Sequence, residues 1–244
     1  MPNFRLDLSY DGSRYNGWQR QKTTQNTLQE KLETTLSELL GESVSVSASG
    51  RTDAGVHALM QVVSFRAHTE LPPDDILAGL RRYLPEDIGA ISLTVAPPRF
   101  HARLSCREKT YLYRIHTGSV PCVFDRKYVM RHPGELDTGA MKAAAAKLTG
   151  THDYAAFSTG KTKKSTVRTV SSIELEQLPD ELRLYFTGDG FLYNMVRIMT
   201  GTLIEVGEGL RSPDTIDGIF DLGERKNAGA TAPAKGLFLY SVRY

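Results

Sequence analysis

Val44-Ser45-Val46-Ser47-Ala48-Ser49 and Gln61-Val62-Val63-Ser64-Phe65-Arg66 flank the segment Gly50-Arg51-Thr52-Asp53-Ala54-Gly55-Val56-His57, and the fold is read outward from this stretch. Both flanks are rich in β-branched or aromatic residues and read as strands. The glycines on either side of Arg51-Thr52-Asp53 permit a tight turn between them. Upstream, Leu28, Leu32, Leu36 and Leu39-Leu40 recur at helical spacing. Thr27 with Glu30 three residues on has the pattern of a capping box, and Gly41 is a helix stop. Further upstream, Phe4 to Tyr10 alternates apolar and polar as a half-buried strand does, and Asp11-Gly12 ends it. Downstream, Pro73-Asp74-Asp75 opens a helix through Ile76, Leu80 and Leu84, and Ile88 to Val95 is a fourth strand before Pro97-Pro98. The order is β-α-β-β-α-β.

The remainder repeats that order loosely. Glu108 to His116 reads as a strand, and the Ala-rich stretch Leu136 to Leu148 as a helix ending at Gly150. Thr166 to Glu176 and Leu182 to Thr187 are strands joined by the turn at Pro179-Asp180. Phe191 to Val206 is a helix, Pro213 to Phe220 a shorter one, and Gly236 to Tyr244 a closing strand. The pattern predicts an α+β protein of two related halves, residues 1–98 and 99–244, with a substrate cleft between them.

Composition narrows the function classes. The 244 residues are 40% hydrophobic and 24% charged, the balance of a globular chain rather than a disordered one. No apolar run approaches the roughly 20 residues of a membrane helix, and residues 1–7 lack the pattern of a secretion signal. Cys106 and Cys122 cannot make a disulfide framework, so a reduced, cytoplasmic protein is expected. The six histidines are scattered without ligand spacing, and no metal site is expected. Gly160-Lys161-Thr162 resembles the end of a P-loop, but Ala155 stands where the earlier glycine would be. Net charge is only +2, so the local distribution matters more. Arg99, Arg103, Arg107 and Lys109 interleave with Phe100, His101 and Tyr111. Lys161, Lys163 and Lys164 precede Arg168. Such mixtures suit phosphates and unstacked bases, and they also suit ordinary solvated surface.

Asp53 is the candidate catalytic carboxylate. A nucleophilic aspartate must stay ionised, which a nearby guanidinium favours, and Arg51 and Arg197 are the candidates. Arg197 lies in the otherwise apolar Phe191-Leu192-Tyr193-Asn194-Met195-Val196-Arg197, where it either meets a carboxylate or snorkels to solvent. The alternative for Asp53 is a hairpin turn in which it caps backbone donors.

The segment Gly50 to Ala58 resembles the signature of the tRNA pseudouridine synthase A family. Four further segments resemble the family in order: Asp11 to Gln19; Phe100-His101-Ala102-Arg103 with Lys109-Thr110-Tyr111-Leu112-Tyr113; Phe191 to Arg197 with Gly201 to Gly207; and Thr231 to Leu237. One departure is Ile198, where the family pattern has Asn. The resemblance implies two ferredoxin-like halves of the RNA-recognition (RRM) type, forming one mixed, mostly antiparallel sheet. It implies isomerisation of uridine to pseudouridine at tRNA positions 38, 39 and 40, without a cofactor, by a homodimer holding tRNA across both subunits. Asp53 matches the catalytic aspartate, Arg197 its basic partner, Arg51 the residue that helps displace the target nucleotide, and Tyr111 the tyrosine that stacks on the base. His57, Arg103, Lys163 and Lys164 are expected to contact the RNA. Asp53 could attack the sugar, attack the base or take a sugar proton to form a glycal. The rival readings are a non-catalytic RNA-binding protein of RRM-like architecture and a hydrolytic glycosidase. The latter ordinarily needs a second positioned acid, and Gly50 to Ala58 holds none.

Overall fold

The computed structural model describes residues 1–160 and 165–244. In chain order the elements begin with β1 (Asn3–Tyr10), α1 (Leu28–Leu40), β2 (Val46–Ala48), β3 (His57–Arg66), α2 (Pro73–Tyr83) and β4 (Ile88–Ala96). They continue with β5 (Glu108–His116), β6 (Met130–Arg131), α3 (Thr138–Leu148), β7 (Gly150–Asp153), β8 (Val167–Gln177), β9 (Glu181–Gly188), α4 (Met195–Gly207) and α5 (Thr215–Leu222), and close with β10 (Leu237–Arg243). The packing divides into two compact units, one of Met1–Arg107 with Phe238–Tyr244, the other of Glu108–Leu237. Residues 99–107, grouped with the second half in the sequence reading, pack on the first unit. Asn3 Nδ2 donates to Phe100 O at 2.9 Å, Ala102 N donates to Ser64 Oγ at 3.0 Å, and the Tyr244 hydroxyl donates to Ala102 O at 2.8 Å.

In the first unit β1 runs antiparallel between β3 and β4. Its alternation is realised: Phe4, Leu6, Leu8 and Tyr10 are buried, with Arg5, Asp7 and Ser9 between them half-buried. Phe4 faces Phe65 in register, and the two rings stack at 5.1 Å. The other edge of β3 is shared. Antiparallel β2 takes Val63 to Phe65, and parallel β10 takes His57 and Ala58. α1 buries Leu28, Leu32 and Leu36, each worth roughly 1.5–3 kcal/mol of transfer free energy. Thr27 Oγ1 accepts from Glu30 N at 3.3 Å, and Gly41 ends the helix at φ 69°. Both ends match the sequence expectation. The Glu30 carboxylate pairs with Arg20 rather than returning to the cap.

In the second unit β9 lies antiparallel between β5 and β8, β7 extends β8, and β6 runs parallel to the end of β5. α3 buries Met141, Ala144, Ala145 and Leu148 and packs against α4 and β8. α4 is buried on almost every side. It starts at Met195, four residues later than the apolar spacing predicts. Asn194 stands just before it at φ 62°, a left-handed conformation that cannot lie inside an α-helix. β7 was not anticipated, because Gly-Thr-His-Asp carries no apolar alternation. The α+β class is as the sequence predicts, and the predominantly antiparallel pairing is as the family resemblance implies.

Candidate active site

Asp53 sits in the first unit on the loop between β2 and β3. Val56 N donates to Asp53 O at 3.1 Å, which closes the turn, and Trp18 N donates to Thr52 O at 2.9 Å. Gln61 Nε2 donates to Gly50 O at 2.9 Å, and its Oε1 accepts from Ser49 Oγ at 2.6 Å. The Tyr10 and Thr52 hydroxyls lie 2.8 Å apart. Burial pushes the Tyr10 pKa well above its ordinary 10.0, so its proton stays available to this network. Backbone groups that a loop would ordinarily give to water are thus bonded to fixed parts of the fold.

Two glycines of the amino-terminal segment let this happen. A Cβ on Gly12 would lie 1.9 Å from Val56 O, and one on Gly17 would lie 2.9 Å from Thr52 O. Gly17 is also left-handed at φ 89°. The segment carrying them is held by Asp87, which takes Tyr15 OH at 2.6 Å and Arg14 Nε at 2.8 Å. Burial, and then the Asp87 carboxylate, push the Tyr15 hydroxyl up to about 12. On the loop so held, Asp53 is half-buried and Arg51 exposed. The sequence reading passed over Gln61, although a polar residue in the run Met60-Gln61-Val62-Val63 was a signal for it.

His57 is only 1% exposed. Its Nδ1 lies 3.1 Å from both Gly12 N and Asp11 Oδ1, and its ring stacks on Phe238 at 4.7 Å. These contacts place it beneath the loop. Arg103 is exposed, with its backbone N donating to His101 Nδ1 at 3.1 Å.

Tyr111 and Arg197 belong to the second unit. Tyr111, on β5, is 8% exposed and meets Phe191 edge-to-face at 5.2 Å. Arg197, in the first turn of α4, is half-buried. Its Nε donates to Ala232 O at 2.7 Å and its Nη1 to Asn194 Oδ1 at 2.8 Å, while its own carbonyl accepts from Ala232 N at 3.0 Å. The segment that Ala232 begins is pinned from β5, where Tyr113 OH donates to Pro233 O at 2.8 Å. Lys163 and Lys164 lie outside the described residues. Among the described residues no group of three or more His, Cys, Asp or Glu could hold a metal ion, and no helix is long and apolar enough to cross a membrane.

The α+β chain matches in sequence a class of isomerases, the pseudouridine synthases. A sequence model described as tRNA pseudouridine synthase matches residues 8–106 and 144–244. The chain is 42% identical over 245 residues to "tRNA pseudouridine synthase A" of Bacillus sp. (strain KSM-64), covering 100% of both. It is 41% identical over 244 residues to "tRNA pseudouridine synthase A 2" of Clostridium tetani, covering 99% of this chain and 98% of the relative. A Clostridium acetobutylicum relative bearing the first of those names is 40% identical over 245 residues, with 100% of both covered. The chain belongs to the tRNA pseudouridine synthase A family. Asp53 and Arg197 fall in the matched segments, and Tyr111 falls between them.

Proposed function

We propose that this chain isomerises uridine to pseudouridine in the anticodon arm of tRNA, with Asp53 as the catalytic carboxylate. The observation that carries the reading is the locked loop: it is held at Gly50 O, Thr52 O, Asp53 O and the Thr52 hydroxyl, and the acid it presents is half-buried. Preorganised charge of this kind stabilises charge that develops during reaction. The bond from ribose C1′ to base N1 breaks and a bond from C1′ to C5 forms, and the C5 proton is replaced at N1. Electrons balance without an oxidant, and the net reaction consumes no water. Cleavage builds positive character on the sugar, which a carboxylate stabilises or traps.

In this reading Arg197 is the basic partner that keeps the carboxylate ionised. The target uridine leaves the stack at a cost of a few kcal/mol, Arg51 occupies the space it vacates, and Tyr111 supplies a stacking face worth roughly 1–3 kcal/mol. Arg103, Lys163 and Lys164 meet phosphates, and His57 serves the RNA indirectly by supporting the loop. A homodimer spanning one tRNA in the cytoplasm completes the proposal, and light scattering of the purified chain measures the first part of it.

Asp53→Asn is expected to lower kcat by about 10⁴-fold or more while tRNA binding persists. Pseudouridine formation at the native rate by this variant, read by carbodiimide labelling of the product, would refute the assignment of Asp53, whereas a wild-type chain that binds tRNA and forms no pseudouridine would leave an RNA-binding protein. Tyr111→Phe is expected to bind tRNA normally and turn over slowly, since the hydroxyl is a candidate relay for the C5 proton. Full activity in that variant would leave stacking as its only role.

A further inference from the structure

We propose that Asn194 is a positioning residue that fixes the direction of the Arg197 guanidinium and ties it to the turn preceding residue 161. Among the described residues Asn194 is the one non-glycine at positive φ. That conformation costs an ordinary L-residue about 1–2 kcal/mol, and Asn tolerates it better than most. It precedes the first residue of α4, where an asparagine side chain ordinarily accepts from a backbone N–H of the first turn. Here it makes no such bond. Its Oδ1 instead accepts from Nη1 of Arg197 at 2.8 Å, and its Nδ2 donates to Thr159 Oγ1 at 2.8 Å. The amide orientation is not arbitrary: a guanidinium only donates, so the oxygen must face it and the nitrogen is left for Thr159.

The bond from Nε to Ala232 O and the bond from Nη1 to Asn194 Oδ1 together fix the plane of the guanidinium. Ala232 sets one side of that plane and Asn194 the other. The Thr159 end is itself docked. Ser158 Oγ donates to Tyr193 O at 3.2 Å, and a Cβ on Gly160 would lie 3.2 Å from Tyr193 Cβ. A left-handed asparagine thus joins the arginine to the base of a segment whose sequence carries Lys161, Lys163 and Lys164.

The inference rests on the reading that Arg197 serves catalysis, and the experiment separates the two. Full-length variants are assayed on tRNA for kcat and KM, with thermal unfolding measured alongside. Asn194→Gly keeps the left-handed backbone without strain and removes both links. It is expected to lower kcat by about 10- to 100-fold, the range that small misplacements of a working group produce. In an Arg197→Ala background the same change is expected to slow turnover no further, because its effect acts through the arginine. Wild-type kcat in Asn194→Gly beside an inactive Arg197→Ala would overturn the positioning role alone. So would multiplying effects in the double variant. Full activity in Arg197→Ala would instead overturn the catalytic reading of Arg197.

Discussion

At the scale of single residues, Asp53 owes its position to glycines 41 and 36 residues earlier in the chain. A methyl group at Gly12 would strike Val56 O, and one at Gly17 would press on Thr52 O in an already left-handed backbone. Gly12→Ala is expected to destabilise the chain by about 1–3 kcal/mol through overpacking and to lower kcat, because the displaced carbonyl belongs to the loop. Gly41→Ala is the control. Its φ is 69° with nothing within 4 Å of the added carbon, so it is expected to cost about 1 kcal/mol and to leave kcat alone. Denaturant titrations with steady-state assays distinguish the two. The turn around Asp53 was legible in the sequence, because glycines flank it between two strand-like runs. Its clamps were not, since a close approach between residues 12 and 56 leaves no mark on periodicity.

Among the elements, α4 carries the greatest internal demand. A Cβ on Gly201 would lie 1.8 Å from Ala230 O. Thr202 Oγ1 donates to Ile198 O and accepts from Gly229 N at 2.9 Å. Glu205 accepts from Ala230 N at 2.8 Å and pairs with Arg211. The helix therefore dictates the course of residues 229–232, which end at the alanine bonded to Arg197. Thr202→Val is expected to cost about 1–3 kcal/mol, by leaving the buried Gly229 N–H without its acceptor. An unchanged urea midpoint would contradict this. The elements themselves were mostly readable. Strand β5 has the bounds that its alternation predicts, and α1 has the cap and stop that Thr27 and Gly41 announce. The failures have local causes. Helix α4 starts late because one backbone angle overrides its apolar spacing. Strand β3 begins at His57 rather than Gln61, because its first pairing is with β10 from the far end of the chain. Strand β6, of two residues, is too short to show a period.

For the whole molecule, buried tyrosines make stability depend on pH in the alkaline range. Burial raises the pKa values of Tyr10, Tyr15 and Tyr113 above their ordinary 10.0, Tyr15 to about 12. The folded chain holds these protons at pH values where the unfolded chain releases them. Their contribution is therefore complete below about pH 10 and is lost as pH rises toward 12 and beyond. Urea midpoints are expected to be insensitive to these groups below pH 10 and to fall above it. Tyr15→Phe is expected to make the fall between pH 10 and 12 shallower, and an identical slope would contradict the assignment.

The return of Phe238–Tyr244 to the first unit has a consequence for biosynthesis. Chains are made from the amino terminus, and domains generally fold as they emerge. Here Phe238 is the ring on which His57 rests, and Phe238 and Leu239 complete the edge of β3 beside the Asp53 loop. During translation the first hundred residues can collapse, but this support of the Asp53 loop arrives only when residues 238–239 have been made. A fragment truncated inside the second unit therefore lacks the ring beneath His57 and the strand that borders the start of β3, so its Asp53 loop has no finished bed.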